Sequence, residues 1–177
     1  MEAYVAGDAE AFERLFRSLA PSIHAFFARA VGQGALAEDL LQTTFLKLHA
    51  ARGSWRGGER LRPWVFTIAA RVRVDWLRRQ GRTEEELDAD GVADPEPSGD
   101  PAGALLARER AERVRAALDR LPEPQRLVVH LHRLEGLTFG EIGKVLGISE
   151  GAARVRAFRG YAALRALLAD LVTEEGR

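Results

Sequence analysis

Apolar side chains recur three and four residues apart along almost the whole chain, and this spacing limits the possible folds more than any other feature. In residues 12–27, and again in residues 40–48, it places large apolar side chains on one face of a helix. No segment shows the period-two alternation of apolar and polar residues that a half-buried strand requires. The sequence therefore predicts an all-α protein.

A segment rich in acid, proline and glycine interrupts the helical pattern at residues 81–103. It holds 8 Asp/Glu against one Lys/Arg, and Leu87 and Val92 are its only sizeable apolar residues. Such a composition cannot bury enough apolar surface to offset the entropy lost on ordering. We interpret the segment as a flexible, disordered linker between two small helical domains, residues 1–80 and 104–177. Its charge has two open roles, as a solubilising spacer or as a competitor of DNA for basic surfaces.

The net charge of zero conceals an uneven distribution. Residues 1–80 carry 12 Lys/Arg against 8 Asp/Glu, and residues 104–177 carry 13 against 10. Both predicted domains are therefore mildly basic. A basic domain suits a nucleic-acid partner, although the net charge of the whole chain does not indicate one. The chain has no cysteine, no signal-peptide pattern at its start and no apolar stretch of about 20 residues. We expect a cytoplasmic protein without membrane insertion.

The first predicted domain begins with a helix that Asp8 caps and that Pro21 is expected to kink or divide. A second helix is predicted over residues 36–51, with Glu38 and Asp39 in its first turn, where the helix dipole favours acids. A glycine-rich loop follows, and Pro63 marks the start of a third long helix.

The loop and the third helix form an unusually basic segment. Residues 52–79 contain eight arginines interleaved with Trp55, Trp64, Phe66 and Trp76. Basic residues among aromatics suit a nucleic-acid strand whose bases are unstacked. The spacing of Trp64 and Phe66 is equally that of core residues, whereas Trp55, in a glycine-rich loop, is expected to be exposed.

The second predicted domain has four helices and ends in a helix-turn-helix pattern. Thr138 and Glu141 form a capping box, Gly147 provides the turn, and Ser149 caps the last helix. The residues expected inward on this helix are small, so that the two helices can cross closely. An ordinary basic helix on a bundle is the simpler alternative. The side chains expected to point outward, toward phosphates or base edges, are Arg154, Arg156, Phe158 and Arg159.

No constellation for catalysis is recognisable. His130 and His132 lie on different faces of one helix, and no Ser, His and Asp follow a known nucleophile motif. The glycine pair at residues 57–58 lacks the Gly-Lys-Ser/Thr of a phosphate-binding loop. We expect no enzymatic activity, no metal, no cofactor and no small-molecule substrate.

In this order, the segments resemble the extracytoplasmic-function sigma factors, the smallest bacterial sigma factors, over nearly the whole chain. The motifs that carry the resemblance are residues 7–16, 37–45, 62–69 with 75–79, and 121–126 continuing through 135–151. The resemblance implies a transcription initiation factor with sigma domain 2 at residues 1–80 and sigma domain 4 at residues 104–177. Its implied partners are core RNA polymerase, through the β′ clamp helices and the β flap, promoter DNA, and an anti-sigma factor.

The resemblance also implies roles for particular residues. Core polymerase is expected to contact Glu38, Asp39, Leu40, Gln42 and Phe45, with Leu40 partly exposed. The −10 element is expected to contact Trp55, Arg62, Trp64, Arg71, Asp75, Arg78 and Arg79. The −35 element is expected to contact Ser149, Arg154, Arg156, Phe158 and Arg159.

A stand-alone helix-turn-helix regulator is the alternative, because many repressors and activators share the C-terminal motif. The N-terminal half discriminates between the two. A response regulator would show alternating strands and helices with a phosphoacceptor aspartate, and neither is present. A pure protein-interaction bundle would not need eight arginines in residues 52–79.

Overall fold

The computed structural model describes residues 1–32, 34–81 and 112–169, and all regular structure in these ranges is helical. The expected all-α class is confirmed. The acidic segment after Gly81 and the first residues of the predicted second domain lie outside the described residues, as does the C-terminal end of the chain.

The N-terminal half consists of one short and three long helices. Its elements are α1 (Glu2–Val5), α2 (Ala9–Val31), α3 (Ala35–Ala51), a 3₁₀ turn (Arg52–Ser54) and α4 (Leu61–Arg79). The Asp8 carboxylate accepts a hydrogen bond from the Ala11 amide at 3.1 Å, so the expected cap is present. The expected division at Pro21 is wrong, because α2 continues through this proline as one helix.

The C-terminal half contains four helical segments within its described part. These are residues 112–119 (α5), α6 (Glu123–Val129), which continues into a π-helical turn (His130–Leu134), α7 (Phe139–Leu146) and α8 (Glu150–Leu167). The capping box of α7, the left-handed Gly147 and the Ser149 cap of α8 all form as expected.

Close helix contacts in this half require small residues, as the sequence indicated. Ala153, Ala157 and Gly160 form the inward face of α8 and are almost fully buried. A Cβ at Gly143 would lie 2.8 Å from the Ile148 carbonyl oxygen, which belongs to the turn between α7 and α8. The turn can therefore fold back onto α7 only because residue 143 has no side chain.

The two halves pack against each other around one large hydrophobic cluster, and Leu118, Leu121 and Val129 form a smaller one in the C-terminal half. Helix α4 contacts α7, and α2 contacts α6. At the junction the ring of His130 lies against Phe26 and Phe66, with centroid distances of 6.1 and 6.2 Å. The described parts of the two predicted domains thus share buried side chains across their junction.

Candidate functional site

Helix α3 presents a polar face with one large apolar side chain. Glu38, Asp39 and Gln42 are exposed, and Leu46 beside them is 71% exposed. The expectation that Leu40 is partly exposed is wrong, because its side chain is only 3% exposed and packs in the core. The helical spacing places Leu40 on the same face as Phe45 and Leu48 and places Leu46 on the opposite side, so the exposure expected of Leu40 came from the resemblance and not from the spacing.

The buried side of α3 fixes the position of its exposed face. Phe45 is buried and packs against Phe12 and Phe16, with centroid distances of 6.1 and 4.6 Å. The hydroxyl of Thr44 donates to the Leu40 carbonyl at 2.8 Å. Phe45 and Leu40 can therefore act at this face only by holding the helix in place.

The aromatic residues of the basic segment are less accessible than a stacking surface would require. Phe66 is fully buried, and Trp64 packs against the core with part of its surface exposed. The core interpretation is therefore correct for Phe66. Trp55, expected to be exposed, is half-buried, and among the described residues its indole nitrogen has no hydrogen-bond partner.

A basic groove of about 370 Å³ lies between α3 and α4. Its charged lining consists of Lys47, Asp75, Arg78 and Arg79, and Thr43 contributes a hydroxyl. Lys47 Nζ lies 2.7 Å from Asp75 Oδ2, and this hydrogen bond lowers the pKa of Asp75 below its ordinary value. Sequence reasoning found Asp75 and both arginines but missed Lys47, because α3 and α4 meet here only in the folded chain.

The amino-terminal end of α4 carries two arginines that bind carboxylates of the other half. Arg60 Nη1 donates to both carboxylate oxygens of Glu141, at 2.8 and 2.7 Å. Arg62, expected at the −10 element, forms an ion pair with the buried carboxylate of Glu135. Arg71, Arg78 and Arg79, further along α4, are exposed.

Helix α8 presents the outward face that the helix-turn-helix pattern predicted. Arg154, Arg159 and Ser149 are exposed, and Phe158 is 75% exposed, an unusual value for a large apolar ring. The expectation for Arg156 is wrong in part, since its side chain is half-buried. Val155 is 50% exposed and lies on the same helix, where an apolar side chain can contact a thymine methyl group. Sequence reasoning did not select it.

The start of this face is held by contacts around the Phe139 ring. The His132 ring stacks on it at 4.3 Å, and the Arg154 guanidinium lies 5.1 Å from its centroid. Arg154 also donates to Glu150 Oε1 at 2.6 Å. Arg154 is therefore positioned before any ligand binds, whereas Phe158 and Arg159 on the next turn are exposed.

Two family models match the chain. The model described as Sigma-70 region 2 matches residues 15–83, and the model described as Sigma-70, region 4 matches residues 111–164. The first covers the groove, the arginine-rich segment and the polar face of α3. The second covers the helix-turn-helix.

Curated relatives and solved structures give the same result. The chain is 43% identical to the RNA polymerase sigma factor CarQ of Myxococcus xanthus over 178 residues, covering 100% of both chains. It is 35% identical to the ECF RNA polymerase sigma factor SigF of Caulobacter vibrioides, covering 89% of this chain and 86% of the relative. The sigma factor RpoE of Bartonella quintana, solved in complex with the anti-sigma factor NepR, is similar with a TM-score of 0.65 and 26% identity, covering 90% of this chain and 98% of that one. CnrH, solved with the cytosolic domain of CnrY, shares the fold with a TM-score of 0.59 and 24% identity, covering 94% of this chain and 92% of that one.

Proposed function

Because the chain belongs to the extracytoplasmic-function sigma factors of the sigma-70 family, we propose which of its surfaces serve the family's function. The chain is a transcription initiation factor that directs RNA polymerase to promoters. We assign polymerase binding and −10 recognition to residues 1–80, and −35 recognition to residues 104–177. Residues 81–103 connect them.

The polymerase contact is proposed on the exposed face of α3. Glu38, Asp39 and Gln42 provide polar contacts, and Leu46 provides the apolar side chain that an interface centre needs. Leu40 and Phe45 support the face from the core. A contact of the C-terminal half with the β flap completes the proposed attachment.

The −10 contact is proposed along the loop and α4. Arg71, Arg78 and Arg79 are exposed and reach a strand backbone, Asp75 and Lys47 line the groove, and Arg62 lies at the end of the same helix. Trp55 and Trp64 are half-buried, so only part of each ring is accessible to a strand. Strand binding here rests mainly on charge, with the aromatic residues shaping the surface.

The −35 contact is proposed on α8, and its exposed Phe158 and Arg159 are the observation that carries the function. A monomeric bundle gains nothing from a ring that is 75% exposed beside the exposed Arg159, whereas the major groove accepts both groups. Ser149 leaves the first amides of α8 close to a phosphate position, and Arg154 and Arg156 flank it. All proposed steps are binding steps, so no catalytic role is assigned to this chain, and the proposed compartment is the cytoplasm.

Transcription from a promoter library with purified core polymerase tests this assignment. Adding the protein should select promoters that share two motifs, and the α8 substitutions described in the Discussion should alter only the upstream one. A protein that binds a single operator equally well without polymerase, and that selects no promoters with it, would instead be a stand-alone regulator. An anti-sigma factor is a further proposed partner, because the similar RpoE structure is a complex with one.

A further inference from the structure

The Phe139 ring, at the start of α7, contacts groups from two other elements. The imidazole of His132, on the π-helical turn, stacks on the ring with a centroid distance of 4.3 Å and an angle of 4° between the planes. The guanidinium carbon of Arg154, on α8, lies 5.1 Å from the ring centroid. The Tyr161 hydroxyl, also on α8, shares a hydrogen bond of 2.8 Å with His132 Nδ1. These contacts together fix the plane of the ring on which the guanidinium lies.

The carboxylate of Glu150 determines which hydrogens of Arg154 remain available. Glu150 Oε1 accepts hydrogen bonds from Arg154 Nε at 3.2 Å and from Arg154 Nη2 at 2.6 Å. These bonds use one edge of the guanidinium and leave Nη1 and the outer hydrogen of Nη2 for a partner. Two neighbouring donors of this kind match the acceptors O6 and N7 on the edge of guanine. The free edge of Arg154 therefore has the donor pattern that reads one base.

The close approach of α7 to α8 keeps that carboxylate in place. A Cβ at Gly140 would lie 3.2 Å from Glu150 Oε2, so the carboxylate packs against α7 beside Phe139. Consecutive residues of α7 thus locate the ring and the carboxylate that hold Arg154. Arg159 is exposed, and it has no ion pair or ring contact among the described residues. Helix α8 therefore carries one guanidinium with a supporting structure and one without it.

A restrained guanidinium discriminates between bases better than a mobile one. A mobile side chain loses conformational entropy when it binds, which lowers its affinity roughly two- to tenfold. This loss arises mainly with the base that forms two hydrogen bonds, because the other bases do not order the side chain. Mobility therefore reduces the ratio of the affinities for the preferred base and for the others. Partial unfolding of the protein, in contrast, lowers both affinities by the same factor.

We propose that Phe139 and His132 are positioning residues for base recognition by Arg154, and that they hold its free edge toward a base of the −35 element. The proposal rests on the proposed −35 role of α8. Phe139 acts directly on the guanidinium, and His132 acts through the plane of the Phe139 ring. Tyr161 supports His132 through their hydrogen bond.

The base preferences of the complex with core polymerase test this proposal. Arg154→Ala and Arg159→Ala first identify the promoter position that each arginine reads, from the affinities for promoters that carry each base there. Phe139→Leu keeps an apolar side chain but removes the ring face, and Phe139→Tyr keeps the face and is the matched control. His132→Leu removes the stacked imidazole and tests its action through the ring.

We expect Phe139→Leu to lower the preference at the Arg154 position roughly three- to tenfold, and His132→Leu to lower it about twofold or more. Phe139→Tyr should keep the preference of the unaltered protein. The preference at the Arg159 position should stay the same in all three variants. In the Arg154→Ala background, Phe139→Leu should have no further effect on base preference at the Arg154 position.

Three results would overturn the proposal. An unchanged preference in Phe139→Leu would show that the ring does not position Arg154, and an unchanged preference in His132→Leu would remove His132 from this role. An equal loss at the Arg154 and Arg159 positions would show that the substitutions act on the whole of α8.

The mobility of the Arg154 side chain in the free full-length protein provides an independent readout. Nuclear magnetic resonance detects the arginine Nε–H groups, and the signal of Arg154 is identified by its absence in Arg154→Ala. This group should be ordered in the unaltered protein and in Phe139→Tyr, and more mobile in Phe139→Leu. Equal order in the two Phe139 variants would contradict the proposal.

The same affinities separate this proposal from the function on which it rests. If Arg154→Ala and Arg159→Ala leave every −35 preference unchanged, the −35 role of α8 fails, and the positioning role fails with it. If Arg154→Ala abolishes a preference that Phe139→Leu and His132→Leu leave intact, only the positioning role fails. A uniform loss in Arg154→Ala would make Arg154 a phosphate contact and would also overturn the positioning role.

Discussion

At the scale of single residues, His130 is the group whose protonation the fold most strongly opposes. Burial, followed by the nearby charge of Arg29, lowers its pKa from 6.5 to about 3. Glu135 Oε1 lies 3.5 Å from its Nε2, but that carboxylate is paired with Arg62. The imidazole is therefore neutral between Phe26 and Phe66 at physiological pH.

This burial predicts a loss of stability in mild acid. Below about pH 6.5 the unfolded chain binds a proton at His130 that the folded chain does not bind until about pH 3. The free energy of unfolding should therefore fall by about 1.4 kcal/mol per pH unit from this residue, or about 2 kcal/mol between pH 6.5 and 5. Denaturant titrations at the two pH values should show this slope, and His130→Phe should reduce it. An equal slope in both proteins would show that His130 does not titrate in this range.

Arg159 tests the proposed base contacts of α8. If its guanidinium bonds a base edge, Arg159→Ala should cost about 1–3 kcal/mol of binding and relax the preference at one −35 position. Arg165→Ala, an exposed arginine on the same helix, is the matched control for lost charge. Affinities of the polymerase complex for single-base promoter variants provide the measurement. A uniform loss at every sequence would identify Arg159 as a phosphate contact.

At the scale of elements, the helix-turn-helix depends on one close backbone approach. Gly143→Ala places a methyl group 2.8 Å from the Ile148 carbonyl oxygen, so the turn must move, and we expect a destabilisation of about 1–3 kcal/mol. Gly151→Ala in α8 meets only the Ser149 Oγ, at 3.9 Å, and should be neutral or stabilising by up to about 1 kcal/mol. In thermal unfolding, Gly143→Ala should lower the melting temperature of the protein, and Gly151→Ala should leave it unchanged or raise it. Equal melting temperatures of the two variants would contradict the packing described for the turn.

Helix α3 carries one exposed and one buried leucine, Leu46 and Leu40, whose substitutions should have different effects. Leu46→Ala should weaken binding to core polymerase and leave folding nearly unchanged, and Asp39→Ala with Gln42→Ala should do the same. Leu40→Ala should lower the free energy of unfolding by about 2–5 kcal/mol, because it creates a cavity. Titration of core polymerase together with denaturant unfolding gives both quantities. Unaltered polymerase affinity of Leu46→Ala would remove the exposed face of α3 from the interface.

The two leucines also show how far the sequence could define this site. The pattern correctly identified α3 and its acidic first turn, because both follow from local spacing. The same pattern placed Leu40 on the buried face and Leu46 outside it, and the wrong expectation for Leu40 came from the resemblance. Lys47 in the groove was missed because its contact with Asp75 joins two helices, and the spacing along one helix does not show such a contact.

At the scale of the whole molecule, a buried ion pair joins the two halves. Arg73 on α4 lies 2.6 Å from Glu123 on α6, and both side chains are at most 3% exposed. Glu123→Gln removes one charge of this pair and should reduce the free energy of unfolding by about 3 kcal/mol. Replacing both residues with apolar ones, Arg73→Met with Glu123→Leu, should recover most of the loss. Denaturant unfolding of the three proteins tests this, and a double variant no more stable than Glu123→Gln would contradict it.

The local sequence by itself determined the helices from α2 onward, the caps of α2, α7 and α8, and the turn at Gly147, because each depends on residues within one or two turns. The family motifs followed from the same short segments. Only the tertiary structure decided that the described parts of the two halves share one large hydrophobic cluster and that Glu135 and Glu141 meet the arginines of α4. These contacts join residues more than 70 positions apart in sequence. Their formation depends on the docking of whole helices, which a periodic pattern along one segment does not specify.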